Sequence, residues 1–139
     1  MLEITVQNRL PEIERFKHSF NAFSEQNKIS TSVRRKMNMV FDELLNNIIS
    51  YAYSDDDEHD IEIRLKLSEN RLMVSIVDDG TPFNPLNVDS PDIELSLGER
   101  KVGGLGLHLV RKVIDKVSYQ RRIDKNMITL VKYLDSNNS

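Results

Sequence analysis

The sequence predicts a two-layer α/β (α+β) sandwich: a mixed, mostly antiparallel sheet with about three helices stacked on one face. Three observations carry that expectation. Alternating and helical hydrophobic patterns follow one another in the order β-α-α-β-β-α-β-β. The strands come in pairs joined by short turns, which favours hairpins over a doubly wound parallel sheet. All five glycines lie between Gly80 and Gly106, far from the first strand, where a Rossmann fold would need them.

Residues 2–7 open the chain as a half-buried strand, with Leu2, Ile4 and Val6 alternating against Glu3, Thr5 and Gln7. Leu10, Ile13, Phe16, Phe20 and Phe23 then recur at helical spacing to about Asn27, with Pro11 suited to the first turn and Asn8 to the cap. A second helix is expected from Ser30 or Thr31 to about Tyr53, its apolar face formed by Val33, Met37, Val40, Phe41, Leu44 and Ile48. Ile61, Ile63, Leu65 and Leu67 alternate strictly with polar residues, and Glu69-Asn70 turns the chain into a partner strand carrying Leu72, Val74 and Ile76. A third helix is read through Val110, Val113, Ile114 and Val117, followed by strands over Ser118–Ile123 and Met127–Leu134. Residues 1–134 are expected to form one domain, with a frayed polar tail from Asp135 to Ser139.

Composition narrows the function. With no cysteine, the chain has no disulfide, thiolate metal site or cysteine nucleophile. A net charge of −3 and the absence of tryptophan argue against a nucleic-acid surface. No apolar run has membrane-spanning length and the first residues do not read as a signal peptide, so the expected location is cytoplasmic. The basic clusters Arg34-Arg35-Lys36 and Arg121-Arg122 read as solvated faces. The acidic run from Asp55 to Asp60 fails as an EF-hand, having Asp60 at the glycine position and Lys66 at the closing glutamate position. His18, His59 and His108 fall on different elements and read as surface or packing residues.

Three constellations carry chemistry. Glu43 and Asn47 lie four apart on the second helix, so they project from one face a turn apart. An amide oxygen suits Mg²⁺, and a carboxylate beside it can orient water or accept a hydroxyl proton. In Asp78-Asp79-Gly80-Thr81-Pro82-Phe83 a strand runs out into a carboxylate that can accept from an exocyclic amine, with a glycine against which a flat base could lie. Gly103-Gly104-Leu105-Gly106-Leu107 opens a helix with unhindered N–H groups, an anion site favoured by the helix dipole.

In this order, Glu-x-x-x-Asn, Asp-x-Gly-x-Pro-Phe and Gly-Gly-x-Gly-Leu resemble the N box and two glycine boxes of the GHKL ATPases. Asp-x-Gly-x-Pro-Phe-Asn-Pro and Asn-Asn-Ile-Ile-Ser-Tyr-Ala-Tyr most resemble that superfamily's anti-sigma-factor serine kinase branch. The resemblance implies that Asn47 coordinates Mg²⁺, that Glu43 is the catalytic base, and that Asp78 holds the adenine amine with Gly80 beneath the ring. Gly104, Leu105 and Gly106 would offer N–H groups to the phosphates, and Thr129 would support the adenine contact through water. Asn84 to Val102 would form a lid hinged at Gly103 and containing Gly98, with Arg100 and Lys101 as candidate phosphate partners. Tyr51 departs from the branch, which often has histidine there.

The implied function is an ATP-dependent serine/threonine-protein kinase. It would phosphorylate a small anti-anti-sigma antagonist and, bound to ATP or ADP, sequester a sigma factor or other regulator, and homodimerisation is common in the branch. The alternative is a non-catalytic module whose lid is ordered by nucleotide.

Overall fold

The computed structural model describes residues 1–87 and 106–134. The expected lid beyond Asn87, with Gly98, Arg100, Lys101 and Gly103, and the tail beyond Leu134 lie outside the described residues, as do Gly104 and Leu105 of the phosphate cradle. The elements run β1 (Leu2–Gln7), α1 (Pro11–Gln26), α2 (Thr31–Tyr51), β2 (Asp60–Ser68) and β3 (Arg71–Asp78), then a 3₁₀ turn (Pro85–Asn87), α3 (Gly106–Val113), β4 (Lys116–Arg122) and β5 (Lys125–Tyr133).

The five strands form one sheet in the order β1-β2-β3-β5-β4, and all four pairings are antiparallel. The expected two-layer sandwich is therefore present, with an antiparallel rather than a mixed sheet. The reason is the helix pair: α1 leads the chain away and α2 returns it, so β2 begins beside Gln7, where β1 ended. The turns Glu69-Asn70 and Ile123-Asp124 both place two successive residues at positive φ, which suits the strand twist of a two-residue hairpin.

One face of the sheet is covered. Ile61, Ile63, Leu65, Leu72, Val74, Ile76, Ile128 and Leu130 are buried beneath the helices, while intervening residues face outward. Against them pack Val33, Met37, Val40, Phe41, Leu44 and Ile48, the face read from the α2 spacing, all buried. Phe41 meets Phe16 and Phe20 edge-on with centroids 4.8 and 4.9 Å apart, the geometry preferred by the ring quadrupoles. Ser30 caps α2 as expected, its hydroxyl accepting from Val33 N at 3.1 Å.

Four local expectations change. Asn8 does not cap α1: its side chain ties the Asp57–His59 segment to β1, accepting from His59 N and donating to Asp57 O. Glu12 takes the Gln7 N–H instead, and with Arg15 against it its carboxyl is held down at about 2. Leu10 precedes α1 and is exposed rather than on the buried face. Val117 lies in β4, because α3 ends at Val113. Ile123 stands in the β4–β5 turn, 92% exposed with φ 41°, rather than in a strand.

At the end of β3 the two layers touch. A Cβ built on Gly80 would lie 2.4 Å from the carbonyl oxygen of Ala52, the residue after α2. That oxygen accepts from Thr81 N at 2.7 Å and Thr81 Oγ1 at 3.0 Å. Any side chain at position 80 must push this backbone contact apart. Gly80→Ala is expected to destabilise the fold by about 1–3 kcal/mol, read as a lower urea midpoint; an unchanged midpoint would show that the loop moves aside freely.

Candidate nucleotide site

Glu43 and Asn47 sit near the end of α2 that meets Gly80. Asn47 is 1% exposed, and its Nδ2 donates to Glu43 Oε2 at 3.2 Å. That bond turns the amide so that Oδ1, which accepts from none of the described residues, is the free end. Glu43 is half-buried; burial pushes its carboxyl up, partly countered by the Asn47 N–H. A carboxylate raised in this way is a better proton acceptor than a solvated one.

Asp78 ends β3 on the helix-covered face and is 2% exposed. Its Oδ1 accepts from Gly80 N and Asn126 Nδ2, both at 2.9 Å. Its Oδ2 accepts from no described residue. Burial pushes this carboxyl up, and the two N–H donors and the Arg121 guanidinium pull the other way. The loop beyond Asp78 is drawn over α2: Phe83 lies 6.0 Å from the Tyr51 ring, one turn beyond Asn47. Gly106 is the first residue of α3, which packs on α2.

Thr129 does not join this group. Along β5 the buried positions are Asn126, Ile128 and Leu130, so Thr129 points to the opposite face of the sheet from Asp78 and pairs with Ser75 and Ser118. The residue across from Asp78 is Asn126, which the sequence reading missed. Its signal was parity: counting back in twos from Leu130 lands on a buried asparagine. Arg121 is likewise not merely solvated, because Nη1 donates to Gly80 O at 2.8 Å.

His59 is the histidine with the most specific environment among those described. Its Nε2 lies 2.8 Å from Asp55 and its Nδ1 3.1 Å from Asp79, and its ring stacks on Tyr53 at 4.6 Å. A ring with a carboxylate at each nitrogen is favoured as the imidazolium, and its pKa is raised, chiefly by Asp55.

The family model described as "Histidine kinase-like ATPase domain" matches residues 6–132, and the chain belongs to that family. Among curated relatives it is similar to the serine/threonine-protein kinase BtrW of Bordetella bronchiseptica, 33% identical over 104 residues, 75% of this chain and 73% of the relative. It is also similar to the serine-protein kinase RsbW of Bacillus subtilis, 28% identical over 100 residues, 67% of this chain and 60% of the relative. The chain thus spans less than two thirds of the length of RsbW. Of solved structures, the SiaB-SiaC complex from Pseudomonas aeruginosa superposes with a TM-score of 0.60 at 14% identity, over 96% of this chain and 90% of that one. The catalytic domain of histidine kinase ThkA gives a TM-score of 0.53 at 16% identity, over 96% of both chains. These two likenesses concern the fold. Among the described residues no helix is long and apolar enough to cross a membrane.

Two stability outcomes follow from the electrostatics. A raised Asp78 stabilises the fold only while protonated; that contribution is present below its ordinary 3.8 and lost as pH rises through the raised value. At neutral pH its buried charge is a cost, so the nucleotide-free Asp78→Asn variant should melt no lower than wild type by calorimetry. The raised His59 contributes stability that is present below its ordinary 6.5 and lost as pH rises through its folded value. The melting temperature should fall on passing above that range, and His59→Gln should flatten the slope.

Proposed function

We propose that this chain is an ATP-dependent serine/threonine-protein kinase of the anti-sigma-factor type. It transfers the γ-phosphoryl group of ATP to a serine or threonine of a small anti-anti-sigma protein. In its nucleotide-bound form it sequesters a sigma factor or another regulator, in the cytoplasm. The observation that carries this reading is the pairing of a half-buried Glu43 with the buried Asn47 one turn away, beside the loop that follows Asp78. The curated names of BtrW and RsbW support it, and they favour the enzyme over a nucleotide-gated module without catalysis.

Each residue has a role in that reaction. Asp78 Oδ2 accepts a hydrogen bond from the adenine amine, and Gly80 leaves backbone for the base to lie against. The N–H groups at Gly104, Leu105 and Gly106 receive the phosphates. The donor set suits Mg²⁺, because the free end of Asn47 is a neutral, hard amide oxygen and the rest of the shell can come from phosphate and water. The ion would neutralise phosphate charge. Glu43 takes the proton of the acceptor hydroxyl as its oxygen bonds to the γ-phosphorus and the bond to the bridging oxygen breaks, releasing ADP.

Mixing the protein with ATP, Mg²⁺ and the cognate antagonist should yield phosphoserine or phosphothreonine by mass spectrometry. Glu43→Ala is expected to bind ATP within a few-fold of wild type and to lose at least about 10²-fold in transfer rate; wild-type turnover in this variant would remove Glu43 from the mechanism. Asp78→Asn should weaken ATP at least about tenfold in titration calorimetry, and unchanged affinity would place the base elsewhere.

A further inference from the structure

Asn126 occupies the first inward position of β5 and faces Asp78 across the β3–β5 pairing. It is 1% exposed and makes five hydrogen bonds. Nδ2 donates to Asp78 Oδ1 at 2.9 Å and to Thr81 O at 2.8 Å. Oδ1 accepts from Tyr119 OH at 2.5 Å, Phe83 N at 3.2 Å and Arg121 Nη1 at 3.3 Å. The backbone partners settle the orientation of the amide. Phe83 N–H can only donate and the Thr81 carbonyl can only accept, so a flipped amide would lose both. Asn126 therefore shows Asp78 an N–H and never an oxygen.

This decides what the other carboxylate oxygen can do. With Oδ1 occupied by two donors, a proton taken up by Asp78 would sit on Oδ2. An ionised Oδ2 only accepts and matches a 6-aminopurine; a protonated Oδ2 donates and matches a 6-oxopurine. The charged or titratable groups that act on Asp78 include Asp79 beside it, Tyr53 just beyond α2 and Arg121 on β4, and Glu58, His59, Asp60, Glu62 and Lys125 line a cavity that Asp78 also lines. Asp79 opposes ionisation of Asp78 and Arg121 favours it. The direct N–H donors, Asn126 and Gly80, counter in part the burial that pushes the carboxyl up.

We infer that Asn126 sets the base preference of the nucleotide site by holding Asp78 Oδ2 as an acceptor, for a 6-aminopurine and against a 6-oxopurine. The inference rests on the proposed nucleotide site and makes Asn126 a positioning residue that acts through Asp78. Titration of ATP and of inosine triphosphate into wild type and Asn126→Ala, from pH 5.5 to 8, tests it. Wild type should prefer ATP. Asn126→Ala should weaken ATP by roughly 10- to 100-fold, narrow the ATP-to-inosine-triphosphate ratio at least about tenfold, and lose ATP affinity at higher pH than wild type does. Asn126→Thr, which keeps one hydroxyl donor, should recover part of that ratio.

A residue that only braced the loop would weaken both nucleotides alike. An unchanged ratio and pH profile in folded Asn126→Ala therefore overturns the inference while leaving the nucleotide site standing. Failure of wild type to bind either nucleotide overturns the site, and the inference with it. Should Asn126→Ala not fold, Asn126→Asp carries the test by presenting a carboxylate oxygen in place of the N–H to Asp78 at the same side-chain size. It too should narrow the ratio at least about tenfold, and an unchanged ratio overturns the inference.

Discussion

The carbonyl of Ala52 is the point at which helix layer and sheet become one site. It ends α2, accepts two hydrogen bonds from Thr81 and lies against Gly80 so closely that no side chain fits between. The α2 residues proposed for the site are referred to the sheet through this contact. Glu43 and Asn47 are placed by helical geometry upstream of it, and Asp78 by the strand that runs into it. A helix and a strand packed only through apolar side chains could slide by a fraction of a turn. Hydrogen bonds to one carbonyl hold them in a single arrangement, and positioning of that kind is what phosphoryl transfer chiefly asks of a protein.

Buried polarity in this fold is uneven. Among the described residues the buried polar side chains are Ser24, Asn47, Asp78 and Asn126, and the last three lie at the site end of the molecule. Elsewhere, Ser24 apart, the buried side chains are hydrophobic. Desolvated polar groups cost stability unless bonded, and in this fold they are concentrated around the proposed site. Asn126 is the member whose hydrogen-bonding capacity is most fully used. Asp78 and Asn47 each keep one oxygen free, and these are the atoms available to a ligand.

The periodic part of the structure was legible in the sequence. Alternation located the strands, and the spacing from Val33 to Ile48 named the buried face of α2. That Glu43 and Asn47 share one face of α2 and that Asp78 ends a strand was legible because spacing on a regular element fixes direction. What failed did so where a long-range partner decides the outcome. Asn8 looked like a cap, yet its side chain is taken by the segment around His59. Val117 continued a helical pattern, but its neighbours pair with β5. Thr129 was carried over by resemblance, and the two-residue period of a strand puts it on the wrong face. The mostly antiparallel sheet was legible from the hairpins; that β1 also pairs antiparallel with β2 depends on how α1 and α2 return the chain rather than on any strand's own residues.

The β4–β5 turn is an exposed loop of two residues, the kind of place where chains usually tolerate change. Here it works as a ruler. Asn126 follows Asp124 by two residues, and β5 must meet β4 and β3 in a register that brings an amide, not its neighbours Lys125 or Met127, against Asp78. Ile123 accepts a backbone conformation uncommon for a branched side chain to keep that count. Adding or removing one residue at this tip would exchange the two faces of β5 and point a thioether or an ammonium group at the carboxylate. A surface loop is thereby as constrained in length as the residues it sets in place.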